Sequence, residues 1–385
     1  MAFYYSEGDL RDSYITQTDI DNLLSDLGSS LWAWGGNSGF TYGEPASQFS
    51  TTPTSSPIQV GSLLTWKNIA CGSYHTVATK TDGSLWAWRS NNYGTLGLGD
   101  INYRSSPVQV GSLLTWKNVS CGRFHTMATK TDGSLWAWGS NPNGQLGLGD
   151  RTHRSSPVQV GSLLTWKNVS CGSQHTMATK TDGSLWACGY NENGQLGLGD
   201  INYRSSPVQV GSLLDWKNVT CGARYTIATK IDGSLWSWGY NGYGELGINI
   251  LASRSSPVQV GSLLTWNKVA CGENHFMAIK TDGSLWACGN NFKGQLGDSS
   301  FLLTSSPIQI GSLLTWKNIA CGELYTIATK TDGSLWACGY NEKGRLGLGD
   351  TTNRSSPVQV GSLLTWNTAA CGYNHTEVTQ ISKNY

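Results

Sequence analysis

Seven cysteines stand fifty residues apart in this chain: Cys71, Cys121, Cys171, Cys221, Cys271, Cys321 and Cys371. Seven tryptophans keep the same step: Trp66, Trp116, Trp166, Trp216, Trp266, Trp316 and Trp366. A constant period of this size marks a repeat architecture, in which each unit buries its apolar face against its neighbours. One unbroken period across most of 385 residues predicts a single repeat domain, not two or three ordinary ones. Near-identical copies also separate the positions a scaffold requires from those left free to differ.

One unit reads as four strands. Asn118 to Gly122 is short and built of small residues, which suits a crowded inner strand. Thr126 to Lys130 alternates and runs into Thr131-Asp132-Gly133, a hairpin signal with the residues of a type I′ turn. Ser134 to Gly139 makes a third strand, and a Gly- and Asn-rich loop covers Ser140 to Ser156. Pro157 to Val160 makes a fourth, where proline is tolerated at a strand start or on an outer edge. Four antiparallel strands with no helical periodicity predict an all-β propeller blade. Two more tryptophan columns follow the Leu-Trp positions, and together the columns account for all 18 tryptophans. Each buried ring removes about 200 Å² from water, on the order of 5 kcal/mol gross, so these columns are read as blade packing.

Counting copies predicts how the array ends. The first Leu-Trp strand, Ser30 to Gly35, has no inner strands before it, and the last inner pair, ending near Gln380, has no outer strands after it. The two chain ends are therefore expected to complete one shared blade, closing a seven-bladed ring over residues 29–385 without exposed edges.

Charged residues are only 13% of the chain and the net charge is +1, so no global field draws in nucleic acid or a membrane, and nucleic acid is not an expected partner. The first ten residues lack the basic and apolar regions of a signal peptide, and no run approaches 18 apolar residues. A cytoplasmic or virion location is the expectation. The ten cysteines include no C-x-x-C pair and read as small buried thiols.

Three linked motifs recur: Ser120-Cys121-Gly122-Arg123-Phe124-His125, then Asp132-Gly133-x-Leu-Trp-x-Trp-Gly139, then Asn141-x-x-Gly-Gln-Leu-Gly-Leu-Gly149. Over about residues 30–380 these resemble the regulator-of-chromosome-condensation repeat family. The resemblance implies a seven-bladed β-propeller. It implies no single function, since such propellers include a guanine-nucleotide exchange factor on chromatin and a β-lactamase inhibitor. The exchange factor carries an inserted hairpin wedge, and no insertion of that size is present here. The chromatin binder has a basic tail, whereas residues 1–28 hold Glu7, Asp9, Asp12, Asp19, Asp21 and Asp26 against Arg11.

Repetition also argues against catalysis, which needs a singular constellation. His75, His125, His175, His275 and His375 share one column with Tyr225 and Tyr325, and read as structural imidazoles bonded to loop backbone rather than metal ligands. Asp100, Asp150, Asp200 and Asp350 recur once per unit, as turn-making aspartates do. The lysine column Lys80, Lys130, Lys180, Lys230, Lys280 and Lys330 reads as a solvated face. No catalytic residue, cofactor or metal site is expected, and the chain is read as no enzyme.

The copies differ in two places: the pair after Gly, as in Arg123-Phe124, and the long loop with its downstream arm. In an antiparallel meander the first and third connections share one end, so variation concentrates on one face. That face is expected to bind a protein or glycan through Phe124, Tyr93, Tyr243 and Phe292, with an apolar sector at Ile250, Leu251, Phe301, Leu302 and Leu303. Outside the repeats, Ile20, Leu23, Leu24 and Leu27 have helical spacing between a cap at Thr18 or Asp19 and a stop at Gly28. Residues 1–28 are thus expected to form an arm with a short amphipathic helix that docks on a protein partner. The reading is a non-enzymatic interaction or structural propeller anchored to a larger assembly, as in a viral (phage) virion accessory or host-recognition protein. The alternative is a soluble intracellular regulator of exchange-factor or inhibitor type.

Overall fold

The computed structural model describes residues 29–36, 53–62 and 65–381. The expected helical arm, with Ile20, Leu23, Leu24 and Leu27, lies outside the described residues. The described residues form 28 strands and one short 3-10 turn.

Five sheets have four strands each, in chain order, and one has eight. The eight-stranded sheet is two blades joined at a single pairing, Ser29 with Trp66. In a representative blade the strands run Trp116–Cys121, His125–Lys130, Leu135–Gly139 and Arg154–Gln159, from axis to rim. Each inner strand lies against the next, and Trp366–Cys371 returns to Trp66–Cys71, so the ring closes at seven blades.

Closure uses both chain ends, as the copy count predicts. Ser29–Gly35 pairs with His375–Ile381 in unbroken register, from Ser29↔Ile381 to Gly35↔His375. Its other edge takes Thr54–Gln59. The shared blade thus has two strands from each end, and a closed ring of blades leaves no long unprotected edge.

Two local expectations change. The fourth strand begins at Arg154, not Pro157, and a register shift between Arg154 and Val158 places the proline on the outermost strand, where its missing N–H costs no ladder bond. The Asp-Gly turn is not type I′, which needs two positive φ values. Gly133 has φ +82 and Asp132 is not in that region. Gly133 N–H instead donates to Lys130 O at 3.0 Å, a type I turn followed by a left-handed glycine.

The core lies between blades. Met177, Leu185, Ala187, Leu196 and Val210 of one blade pack on Trp216, Cys221, Ala228 and Trp238 of the next. Within a blade, Trp116 meets Trp136 and Trp138 edge-on at 6.0 and 5.9 Å. The lysine column is not a solvated face. Lys130 is 7% exposed, with its Nζ 3.6 Å above the centre of the Trp136 ring, and the other five lysines repeat the arrangement. A cation on the negative face of an indole closes the tryptophan stack at that end of the blade.

Candidate functional site

The variable connections do share one end of the ring. Tyr93, in a long loop, touches Phe124, in the first connection of the following blade, at a ring distance of 5.7 Å. The Asp-Gly turns are at the other end. There Trp116 N–H donates to Gly83 O, and Thr81 N–H to Thr65 O, tying turns to the Gly-Ser-Leu-Leu segments.

Each long loop is braced from beneath. Asn141 is fully buried; its Oδ1 accepts from Leu146 N–H at 2.9 Å and its Nδ2 reaches Asp150 O. Leu146 is 0% exposed and plugs the blade core. Asp150 accepts from Thr152 N–H and pairs with Arg154, and Asp100, Asp200 and Asp350 do the same with Arg104, Arg204 and Arg354. Those hydrogen bonds and arginines hold the carboxyls below the usual range, which fits turn-making acids.

The histidine column links blades instead of bonding loop backbone. His75, His125, His175 and His275 place Nε2 at 3.0–3.1 Å from a threonine hydroxyl of the next blade. Burial pushes these four down to about 3 and holds His375 well below its usual range, so the imidazoles are neutral. Tyr225 and Tyr325 do the same work by donating to the carbonyls of His275 and His375 at 2.5 Å. Desolvation pushes the Cys121, Cys188, Cys221 and Cys321 thiols up to about 12, which keeps them protonated at neutral pH.

At the loop end the first connections and long loops present a strip of aromatic rings. Tyr373 meets Tyr74 at 5.5 Å, Tyr74 stacks on Phe124 at 5.8 Å, Phe124 meets Tyr93, and Tyr93 meets His153 at 4.9 Å. The guanidinium of Arg123 lies over the Phe124 ring. This strip crosses from the shared blade to the second full blade. Tyr240, Tyr243 and Phe292 form a shorter strip further round. Of the expected residues, the structure brings together Tyr93 with Phe124 and Tyr243 with Phe292. Ile250, Leu251, Phe301 and Leu302 are exposed in the loops of two successive blades, and Leu303 is half-buried. Tyr74 and Tyr373 lie in the variable pair after Gly and His153 in the variable arm downstream of a long loop; that variability is their sequence signal, and none of the three is among the expected contact residues.

Around the axis, the first connections of all seven blades ring a cavity of about 280 Å³. Backbone bonds link successive blades at its mouth, as from Arg123 N–H to Ser173 O and Tyr373 N–H to Ser73 O. The mouth is uneven in charge, with Arg123 on one side and Glu273 and Glu323 on another. Burial, then the charge of Glu273, pushes Glu323 up to about 7. Arg345 is 2% exposed, 3.9 Å from Glu323, and donates to Tyr373 O.

Cys71, His375 and Glu377 bring their donor atoms within 4.8 Å of one another. The carboxylate already accepts from Thr76 Oγ1 at 2.7 Å and lies 3.4 Å from Arg89, while burial pushes its pKa above the usual range. Sequence reasoning passed over Glu377 and Arg89, although each breaks its column: Glu377 stands among Val77, Met127, Met177, Ile227, Met277 and Ile327, and Arg89 among glycines.

A family profile described as "RCC1-like domain" matches residues 23–228, more than half of the chain. The "Regulator of chromosome condensation (RCC1) repeat" matches residues 232–279, 282–329 and 332–378. Human WBSCR16 superposes with a TM-score of 0.80 at 21% identity, covering 92% of this chain and 99% of that one. Yeast RCC1 (Prp20), in a crystal structure with Kap60, gives 0.82 at 18% identity, covering 98% and 97%. Prp20p from Saccharomyces cerevisiae, in a second structure, gives 0.79 at 19% identity, covering 94% of each chain. At these identities the likeness shows the fold. No helix among the described residues is long and apolar enough to cross a membrane.

Proposed function

The chain belongs to the regulator of chromosome condensation repeat family, and from that premise we propose that it is a non-catalytic propeller that holds a protein partner on its variable-loop face. The strip Tyr373–Tyr74–Phe124–Tyr93–His153 carries this reading. Mutually packed, partly exposed rings with an arginine beside them are the side chains that dominate protein interfaces, and they keep little rotamer freedom to lose on binding. The second strip at Tyr243 and Phe292, and the apolar loops at Ile250, Leu251, Phe301, Leu302 and Leu303, extend the same face.

Replacing Tyr74, Tyr93 and Phe124 together by alanine is expected to weaken binding of the native protein partner by about 100-fold, on the scale of interface anchors. The melting temperature should stay near that of the wild type. Undiminished binding by the folded triple variant would remove the strip from the site. A glycan ligand stacking on the same rings would show instead as binding that survives protease treatment of the partner fraction.

The second reading, a cellular regulator, is favoured by the structural matches: yeast Prp20 is described bound to Kap60 in one structure and with binding to Gsp1p and histones in the other. Against exchange activity, no described blade carries strands beyond its four. Nucleotide release from Gsp1p, with and without this protein, separates the two readings; acceleration would favour the regulator. Attachment to a larger assembly, a virion included, is assigned to residues 1–28 with Ile20, Leu23, Leu24 and Leu27 as the docking stripe. A protein lacking those residues that still enters its native assembly would refute that assignment.

A further inference from the structure

A ring made of near-identical units has a specificity problem. Every blade presents much the same side to its neighbour, so the half-blade Trp366–Ile381 has several surfaces of similar chemistry on which to close. Only one gives seven blades. A fold of this kind needs something at the closing seam that is absent from the others.

Two singular residues stand there. Glu377 replaces the valine, methionine or isoleucine of the other six copies and is 0% exposed. Arg89 replaces the glycine of Gly35, Gly139, Gly189, Gly239, Gly289 and Gly339. It does so at φ +78, a backbone conformation that disfavours any side chain. At the six glycines an added Cβ would lie 2.4–2.6 Å from a backbone carbonyl oxygen, so the column ordinarily excludes a side chain. Each residue alone breaks the rule of its column. Together they meet across the seam, Nε to Oε1 at 3.4 Å, although 288 positions apart in the chain.

The contacts tie both chain ends to the first full blade. Arg89 Nη1 also donates to Gly36 O at 3.3 Å, just beyond the N-terminal strand, while Gly36 N–H donates to Asn374 O. One guanidinium thus holds the N-terminal and the C-terminal contribution to the shared blade. Glu377 also takes over a bond made differently elsewhere. At five other seams a threonine hydroxyl donates to a long-loop carbonyl of the preceding blade, as Thr126 does to Thr95 O and Thr376 to Arg345 O. At the closing seam Thr76 donates to the Glu377 carboxylate. On the other flank of the shared blade, Arg345 stands where other units have threonine, glutamine or glutamate, and donates to Tyr373 O at 3.1 Å.

We propose that Arg89 and Glu377 form a clasp that specifies where the ring closes. If the half-blade docks on any other unit, Glu377 faces a glycine column and carries a buried charge with no cation in reach. A buried ion pair is weak evidence for stability, and its best-attested use is to fix register. The clasp therefore acts by penalising wrong closure, not by strengthening the right one.

The test is the double variant Arg89→Gly/Glu377→Met, which gives both columns the residues of the other units. It is expected to melt at or above the wild-type temperature. On refolding from denaturant it should return roughly twofold less monomer, or worse, with the remainder as misclosed oligomers measured by light scattering. The reversed pair Arg89→Glu/Glu377→Arg serves as the second arm and should recover part of the lost monomer. A double variant that refolds to monomer as completely as the wild type overturns the proposal. So does one that melts well below the wild type, since the pair would then be a stabilising contact and not a label.

Discussion

The two ends of this propeller are made by the same strands, yet one repeats itself and the other does not. At the turn end the polar side chains of each turn are paired within it. Asp132 Oδ1 accepts from Ser134 N–H and Oγ–H, and Ser134 Oγ accepts from Trp136 Nε1. A Cβ on Gly133 would lie 2.3 Å from Leu164 O. At the loop end the bracing sits underneath, in Asn141 and Leu146, and the residues above it are not needed by the fold. The contrast teaches that constancy here follows local constraint, and variation marks the surface that the scaffold has released. Leu113, Leu114, Leu163, Leu164 and their counterparts are about half exposed, for example 51% and 56% for the first pair. Their backbones pack on the turns; nothing in the structure explains why their side chains are leucine.

The comparison presupposes one closed ring, and the largest effect comes from opening it. A chain cut after Val360 loses two strands of the shared blade and is expected to lose cooperative melting altogether. A sharp transition in calorimetry for that truncation would mean the ends do not close the fold.

Next comes the difference between the ends. Gly133→Ala should cost about 2 kcal/mol, because it adds a clash to a positive-φ position. Asn143→Ala, at the loop end, should stay within about 0.5 kcal/mol. Denaturant titration of both variants checks the pair, and similar losses would erase the contrast.

The smallest effect is in pH. His75, His125, His175 and His275 sit at about 3 and His375 below its usual range, all depressed by burial. Their contribution is complete above the ordinary value near 6.5 and is lost as pH falls toward 3. Glu245 and Glu323 are raised to about 7, chiefly by burial, so theirs is complete below about 4.5 and lost as pH rises through 7. The melting temperature should therefore climb from pH 4 to about 6.5 and ease slightly by pH 8. Glu245→Gln should flatten the alkaline limb and steepen the climb between about pH 4.5 and 6.5. A profile that keeps falling from pH 4 to 6.5 contradicts the neutral, buried histidines.

Much of this was legible in the sequence because it depends on local chemistry repeated many times. The Asp-Gly turns, the Leu-Trp strands and the split copy at the ends predict blade, ring and closure without reference to anything distant. What escaped depends on contacts that only a closed ring creates. The lysine column looked solvated because its position over Trp136 is invisible in one dimension. The histidines were assigned a loop partner because the threonine they meet belongs to the next blade. Arg89 and Glu377 were visible as departures, but nothing in the sequence brings them together. The variable face was legible as a set of loops, while the strip from Tyr373 to His153 needed neighbouring blades to place one loop beside another.

The central claim is that the released face, and not the repeated one, makes the contacts. Photo-crosslinking side chains placed singly at Tyr93, Phe124 and Phe292, and at Leu163 and Leu263 on the opposite end, test it in the native setting. The account predicts discrete adducts with the same protein partner from the first three positions and none from the leucines. Adducts of that partner from the leucine positions, with none from Tyr93 or Phe124, would contradict it.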